Sequence, residues 1–144
     1  MHLLLLPILF FATFTAVAGN FRAVAESGAV LYDAPSREAT PVYVLSRDYP
    51  LEVIVELDAW AKVRDHAGAV NWIEKRQLGE RRTVLVTATS ADAHLRPEDD
   101  APIAFVASQN VALELLESAP AGWLHVRHAD GADGYLRDTL VWGN

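Results

Sequence analysis

Apolar and polar residues alternate with a period of two along several short segments of the chain. The clearest segment is 51–57, where one side carries only aliphatic residues: Leu51, Val53, Val55 and Leu57. Residues 111–115 alternate in the same way. This period predicts β-strands with one buried face, and the Gly, Pro and Asp residues between the segments predict turns. No segment has the spacing of a long amphipathic helix, so the pattern favours small antiparallel barrels.

A segment of fifteen residues occurs twice, at 59–73 and at 122–136. Both copies keep an aromatic residue, a Val-Arg pair, a turn glycine and a second aromatic residue at the same offsets. In the first copy these residues are Trp60, Val63, Arg64, Gly68 and Trp72; in the second they are Trp123, Val126, Arg127, Gly131 and Tyr135. Agreement at so many positions predicts an internal duplication. We expect two units, 19–80 and 81–144, which the tight junction at 77–82 should hold against each other.

The alternation within the repeated strand predicts which side chains are buried. Ala61 and Val63 share one face of the first copy, whereas Trp60 shares the other face with charged residues. The second copy has the same parity, with Val126 on the aliphatic face and Trp123 on the polar face. Because a charged face does not line a core, we expect both tryptophans to lie on the exposed side of their strands.

The first eighteen residues have the pattern of a secretory signal peptide. Two apolar runs, at 3–6 and 8–11, precede a small-x-small cleavage site at Ala16-Val17-Ala18. The segment is shorter than the roughly 20 residues that span a bilayer. We therefore expect cleavage after Ala18, a periplasmic or secreted mature protein and no membrane span after cleavage. Without Cys, disulfides cannot support the fold, so each unit depends on its own core and on contact with the other.

Charge is distributed unevenly along the chain, whose net charge is −7. Residues 19–82 contain nine basic and ten acidic residues, a balance of −1, and residues 83–144 contain three and nine, a balance of −6. Binding to phosphate backbones requires clustered Lys and Arg, so nucleic acid is excluded as a partner. The acidic second unit would suit a cationic partner, although the charge also has a simple role in solubility.

The duplicated segment resembles the bacterial Src-homology-3-like (SH3-like) domain. The second unit matches that family's motif at Gly122, Trp123, Val126, Arg127, Gly131, Gly134, Tyr135, Leu136 and Leu140. The first unit matches at Trp60, Val63, Arg64, Gly68, Trp72, Ile73 and Leu78, and departs from it at Ala59 and Asn71. Because Asn tolerates a left-handed backbone, the departure at Asn71 is expected to be mild. The resemblance implies an all-β protein of two tandem SH3-like barrels that bind peptidoglycan, its stem peptides or extended protein segments, often beside a cell-wall hydrolase.

Each unit has a loop that contains proline, at 33–36 in the first unit and 96–100 in the second, which we call the proline loop. In this fold, aromatic residues at the proline loop, on the strand that begins with the repeated Trp and after the following hairpin turn are expected to form a binding groove. For the first unit this nominates Tyr32, Trp60 and Trp72, with Tyr49 on a neighbouring loop. For the second unit it nominates Trp123 and Tyr135, with His128, and places Arg96 at the proline-loop position. The alternative is that these rings cover the barrel ends or the interface between units. The first groove has more aromatic residues, and Trp142 is expected to pack back onto a barrel.

Catalytic and metal motifs are absent from the sequence. It has no Cys, no Gly-x-Ser-x-Gly elbow and no His-Glu-x-x-His helix. His125, His128, Asp130 and Asp133 lie within nine residues, but the two histidines point to opposite faces of a strand and the aspartates suit a hairpin turn. We therefore predict no enzyme activity, no metal and no cofactor. Two hypotheses remain, a binding module of the cell envelope and a structural or chaperone-like adaptor for an exported protein.

Overall fold

The computed structural model describes residues 19–144, and the predicted signal peptide at 1–18 lies outside the described residues. The described chain forms two seven-stranded antiparallel sheets, each of which curves around its own core into a small, open barrel. Apart from three single 3₁₀ turns, the secondary structure of residues 19–144 is entirely β. No helix in that range is long and apolar enough to cross a membrane. The predicted all-β fold of two tandem SH3-like barrels is confirmed.

The first barrel contains seven strands between residues 21 and 79. Its strands are β1 (Phe21–Val24), β2 (Ala29–Tyr32), β3 (Pro41–Leu45), β4 (Pro50–Glu56), β5 (Trp60–Arg64), β6 (Val70–Glu74) and β7 (Leu78–Gly79). They are ordered β3-β2-β6-β5-β4-β1-β7 across the sheet. The repeated segment therefore supplies the central hairpin, β5 and β6, with the proline loop between β2 and β3 at one edge.

The second barrel repeats this arrangement between residues 83 and 142. Its strands are β8 (Thr83–Val86), β9 (Ser90–His94), β10 (Ile103–Ser108), β11 (Ala112–Ala119), β12 (Trp123–Arg127), β13 (Asp133–Arg137) and β14 (Val141–Trp142). They are ordered β10-β9-β13-β12-β11-β8-β14, which is the order of the first sheet. The duplication in sequence is thus a duplication of the whole fold.

The aliphatic face of the repeated strand lies in the core of each barrel, as its parity predicts. Ala61 and Val63 are fully buried in β5, and Val126 is fully buried in β12. Leu31 and Leu113 add further buried volume. Removing these apolar groups from water is the main stabilising term available to a domain without disulfides.

The predicted apolar face of segment 51–57 is interrupted halfway along β4. The register against β5 shifts between Val53 and Val55, which is a β-bulge. Leu51 and Val53 are buried, but Val55 and Leu57 are exposed. The prediction of one continuous buried face is therefore wrong beyond Val53, because the extra residue in the bulge rotates the rest of the strand away from the core.

Asn71 does not replace a left-handed glycine. Among residues 19–144 the positive-φ residues other than glycine are Asp48, Asn110 and Ala121. The equivalent Gly134 has no positive φ either; a Cβ there would lie 2.9 Å from the carbonyl oxygen of His94. The close approach at Gly134 is steric, and Asn71 does not use the left-handed conformation that Asn tolerates.

The two barrels are joined by direct contacts as well as by the chain. The hydroxyl of Thr83 at the start of β8 donates a hydrogen bond to the carbonyl oxygen of Asp48, at 2.6 Å. The ring of Trp142 in β14 packs edge-on against Phe21 in β1, with centroids 5.1 Å apart. Arg82 lies over the same Phe21 ring. Trp142 therefore packs onto the first barrel and not only onto its own.

Candidate functional site

Three aromatic residues of the first barrel lie on the outer side of neighbouring strands. Tyr32 of β2 is the cross-strand partner of Trp72 in β6, and Trp72 is the partner of Lys62 in β5. Tyr32 also packs edge-on against Trp60, with ring centroids 5.6 Å apart. All three rings are partly exposed. We call Tyr32, Trp60 and Trp72 the first aromatic face, because the structure brings together these three residues that the sequence nominates.

The ammonium of Lys62 and the hydrogen-bonded carboxylate of Glu74 border the first aromatic face. The ammonium of Lys62 lies 5.9 Å from the centre of the Trp72 ring, within the range of a cation–π contact. Glu74 is the cross-strand partner of Trp60. Arg37 donates two hydrogen bonds of 2.8 Å to the Glu74 carboxylate, and Arg76 donates a third. These bonds hold the pKa of Glu74 at about 2, so the carboxylate stays charged at neutral pH.

The second barrel places His94, and not Arg96, at the position of Tyr32. His94 of β9 is the cross-strand partner of Tyr135, as Tyr32 is of Trp72. Its ring packs edge-on against Trp123 at 5.7 Å, and its Nδ1 donates a hydrogen bond to the carbonyl of Ala101. The predicted role of Arg96 is wrong: its exposed side chain reaches Glu98 in the loop. The spacing to proline could have identified His94, since Tyr32 and His94 each stand three residues before Pro35 and Pro97.

Trp123 is buried, with only 4% of its surface exposed, so the prediction that it faces outward is wrong. The guanidinium of Arg137, its cross-strand partner, lies 4.2 Å from the centre of the Trp123 ring. Asp99 accepts hydrogen bonds from Arg137 at 2.6 and 3.3 Å, and the carbonyl of Ala121 accepts another. Arg137 is thereby held over the indole, and His94 packs edge-on against the same ring.

The Tyr135 ring is already stacked on another side chain of its own barrel. Its ring stacks on His125, with centroids 4.5 Å apart and an angle of 9° between the planes. His125 in turn contacts Asp133 at 2.7 Å, whereas His128 contacts Asp130. The four residues that could suggest a metal site thus form two separate pairs. The second barrel retains the layout of an aromatic face, but its central indole is closed to solvent.

The remaining two nominated residues lie at the junction of the barrels. Tyr49 packs beside His66, and its hydroxyl hydrogen-bonds the His66 Nδ1. Burial raises the pKa of Tyr49. His128 lies beside Phe105 in the second barrel. Tyr49 and His128 line adjoining parts of a cleft between the barrels, so the structure does not bring either of them to the aromatic faces.

The first aromatic face is suited to binding by stacking. Its partly exposed rings offer flat apolar surfaces, and Lys62 with the Glu74–Arg37 pair offers charged groups at their border. Such a surface can hold an extended peptide or the face of a sugar ring. The sequence nominated the rings, whereas Arg37, Glu74 and Arg137 were missed because their importance depends on cross-strand pairing.

The chain is similar to solved structures of three other proteins, although at low identity. It shares 18% identity with NlpC2 from Trichomonas vaginalis, covering 90% of this chain and 50% of that one, with a TM-score of 0.39. It shares 20% identity with NlpC1 from the same organism, covering 97% and 51%, with a TM-score of 0.40. It shares 20% with an NlpC/P60 family protein from Bacillus cereus, covering 85% and 55%, with a TM-score of 0.36. The chain spans about half the length of these proteins.

A family model assigns both barrels. No curated protein is significantly similar to the chain. The model described as "Bacterial SH3 domain" matches the chain twice, at residues 25–80 and 90–143. Each match contains one copy of the Trp-x-x-Val-Arg strand and the hairpin that follows it. The chain therefore belongs to the bacterial SH3 domain family.

Proposed function

We propose that this protein is a non-catalytic binding module of the cell envelope, and that it holds peptidoglycan stem peptides or extended peptide segments on the first aromatic face. Bacterial SH3 domains are generally modules that bind cell-wall material or peptides. The observation that carries the proposal is the partial exposure of Tyr32, Trp60 and Trp72 on one surface. A contiguous apolar patch that stays partly exposed is typical of a binding site.

The charges around the rings fit a peptide that carries carboxylates. Lys62 can receive a carboxylate, and the Arg37 and Arg76 guanidiniums outnumber the single Glu74 carboxylate that they hold ionised, so the border is positive. Stem peptides carry carboxylates. In this account residues 1–18 direct export, the protein acts in the periplasm or outside the cell, and a cell-wall hydrolase is a candidate partner.

Sedimentation with purified sacculi tests the proposal. We expect the wild-type protein to sediment with sacculi and Trp60→Ala to remain in the supernatant. Leu95→Ala is the control, because Leu95 is an exposed apolar residue that lies outside the first aromatic face and outside both edge strands. A folded wild-type protein that binds neither sacculi nor soluble stem peptides would overturn the proposal, as would equal retention of Trp60→Ala.

A second candidate function, that of an adaptor for an exported protein, is favoured by the edge strands. β3 and β10 lie at the edges of their sheets, and neither contains a charged residue. Their exposed apolar residues are Val42, Tyr43, Val44, Ile103 and Val106. Uncharged apolar edges are open to pairing with another strand. Val44→Lys, which charges the β3 edge, separates the functions: a wild-type protein that binds an extended segment of an exported protein but not sacculi, and that loses this binding in Val44→Lys and keeps it in Trp60→Ala, would favour the adaptor.

A further inference from the structure

A cleft between the two barrels lies apart from both aromatic faces. It has two adjoining lobes of about 430 and 580 Å³, which share Arg47, Asp48, Ala112 and Ala129 in their walls. Each lobe is of the size that holds small ligands in proteins, roughly 300–1,000 Å³. We call the two lobes together the interbarrel cleft.

The walls of the interbarrel cleft are fixed to each other. The hydrogen bond from the Thr83 hydroxyl to the Asp48 carbonyl joins the barrels beside the cleft, and Thr83 is 2% exposed. The Arg81 guanidinium lies 3.7 Å from the Asp48 carboxylate at the same point. A site whose walls are already in place loses less conformational entropy when a ligand binds.

The smaller lobe carries positive charge on a chain that is acidic as a whole. Its charged residues are Arg47, Arg81, Arg127, Asp48 and Glu114. Arg81 faces Asp48, and Arg127 lies 3.6 Å from Glu114. Arg47 makes no ion pair with any residue in the range 19–144. The lobe therefore has one positive charge in excess, whereas the whole chain has a net charge of −7.

The larger lobe has an apolar part within a wall that also carries polar residues. Val44 and Leu45 contribute aliphatic side chains, and Tyr49 contributes a ring that is held in place by its hydrogen bond to His66. The excess positive charge of the smaller lobe thus adjoins an apolar surface across the shared residues Arg47 and Ala129. A guanidinium beside an apolar pocket matches a carboxylate attached next to an apolar side chain.

We propose that the interbarrel cleft binds a short peptide that carries a carboxylate beside an apolar side chain. Arg47 and Arg127 hold the carboxylate, and Tyr49 with Val44 holds the apolar side chain. The carboxylate has two possible sources, an acidic side chain or the free carboxyl end of a peptide. This site does not depend on the first aromatic face, so one can be present without the other.

Titration of the isotope-labelled protein with three probes, followed by amide NMR, tests the chemistry. The probes are acetyl-Leu-Glu-amide, acetyl-Leu-Ala with a free carboxyl end, and the neutral acetyl-Leu-Gln-amide. We expect at least one acidic probe to shift the amides of Arg47, Asn110 and Ala129 and to bind about tenfold or more tightly than the neutral probe. The acidic probe that binds identifies the source of the carboxylate. Absence of these shifts with both acidic probes, or equal binding of the neutral probe, would overturn the proposal.

Two arginines in equivalent positions provide a matched control. Arg127 pairs with Glu114 in the second barrel, and Arg64 pairs with Glu52 in the first, but only Arg127 lines the cleft. We expect Arg127→Gln to lower the affinity for the acidic probe about tenfold and Arg64→Gln to leave that affinity unchanged. Arg47→Gln should lower the affinity by a similar factor without breaking an ion pair. Equal weakening by Arg64→Gln would overturn the assignment.

The aromatic face and the cleft are separated by one further variant. Trp60→Ala should retain the affinity of the cleft for the acidic probe, even where it loses sacculus binding. Loss of probe binding in a folded Trp60→Ala protein would contradict an independent site. Probe binding by a protein that does not bind sacculi would refute only the function proposed for the first aromatic face.

Discussion

Glu74 and Arg137 occupy equivalent positions in the two barrels and carry opposite charges. Each is the cross-strand neighbour of the repeated tryptophan, Glu74 of Trp60 and Arg137 of Trp123. Their partners at the proline loops also carry opposite charges: Arg37 pairs with Glu74, and Asp99 pairs with Arg137. The exchange keeps an ion pair between loop and hairpin in both barrels.

The opposite charges at positions 74 and 137 also explain why one repeated tryptophan is exposed to solvent and the other is buried. A guanidinium can stack on an indole, and Arg137 covers Trp123 in this way. A carboxylate is not attracted to the negative face of a ring, so Glu74 leaves Trp60 partly exposed. The two barrels thus share a fold and an ion pair but differ in the surface that they offer to a ligand.

Reversing the second ion pair should uncover Trp123. Arg137→Glu alone places two carboxylates together at Asp99 and removes the cation from the indole, so the protein should unfold at lower urea concentration. Adding Asp99→Arg restores the pair in the polarity of the first barrel and should recover part of that loss. In the double variant the indole N–H of Trp123 should still exchange with solvent faster than in the wild type. A double variant that is no more stable than Arg137→Glu would contradict the equivalence of the two pairs.

Stability should fall in acid through Glu74. Its pKa is about 2 in the folded protein and 4.5 ordinarily, because Arg37 and Arg76 donate to the charged carboxylate. A lowered folded pKa gives stability that is present above pH 4.5 and is lost as the pH falls through about 2. The difference in urea midpoint between wild type and Glu74→Gln should therefore shrink over this range. If the urea midpoints of wild type and Glu74→Gln differ by the same amount at neutral pH and at pH 2, the ion pairs of Glu74 are not the cause of that difference.

The contact between barrels should be measurable at Thr83. Thr83→Val preserves the shape of the buried side chain but leaves the Asp48 carbonyl without its hydrogen bond. We expect a loss of about 1 kcal/mol in the free energy of unfolding, and more separate unfolding of the two barrels. Thr87→Val is the control, since the Thr87 hydroxyl donates to Leu140 within the second barrel. A smaller effect at Thr83 than at Thr87 would argue that the barrels are not coupled there.

The sequence predicts the strands and the core well because both depend on local alternation. Val63 and Val126 are buried as their parity requires, and the tandem barrels follow from the repeat. The bulge after Val53 escapes prediction, because one extra residue changes the face of every later side chain without altering the pattern.

The sequence predicts the aromatic residues of the binding surface but not which of them are covered, because coverage depends on contacts between strands. Trp60 and Trp123 have the same parity and nearly the same neighbours in sequence, yet the residue that covers one of them comes from the next strand. His94 is recoverable from its distance to Pro97, whereas the interbarrel cleft depends on how two folded units meet. Such pairings are tertiary and leave no local periodicity.

The most direct test of the proposed function uses the four tryptophan indoles as reporters. A soluble stem peptide is titrated into the labelled mature protein, and the indole N–H signals of Trp60, Trp72, Trp123 and Trp142 are followed by NMR. We expect Trp60 and Trp72 to shift together in a saturable manner, while Trp123 under Arg137 and Trp142 at the barrel contact remain unchanged. Shifts confined to Trp123 or Trp142, or no saturable shift at Trp60, would contradict binding at the first aromatic face.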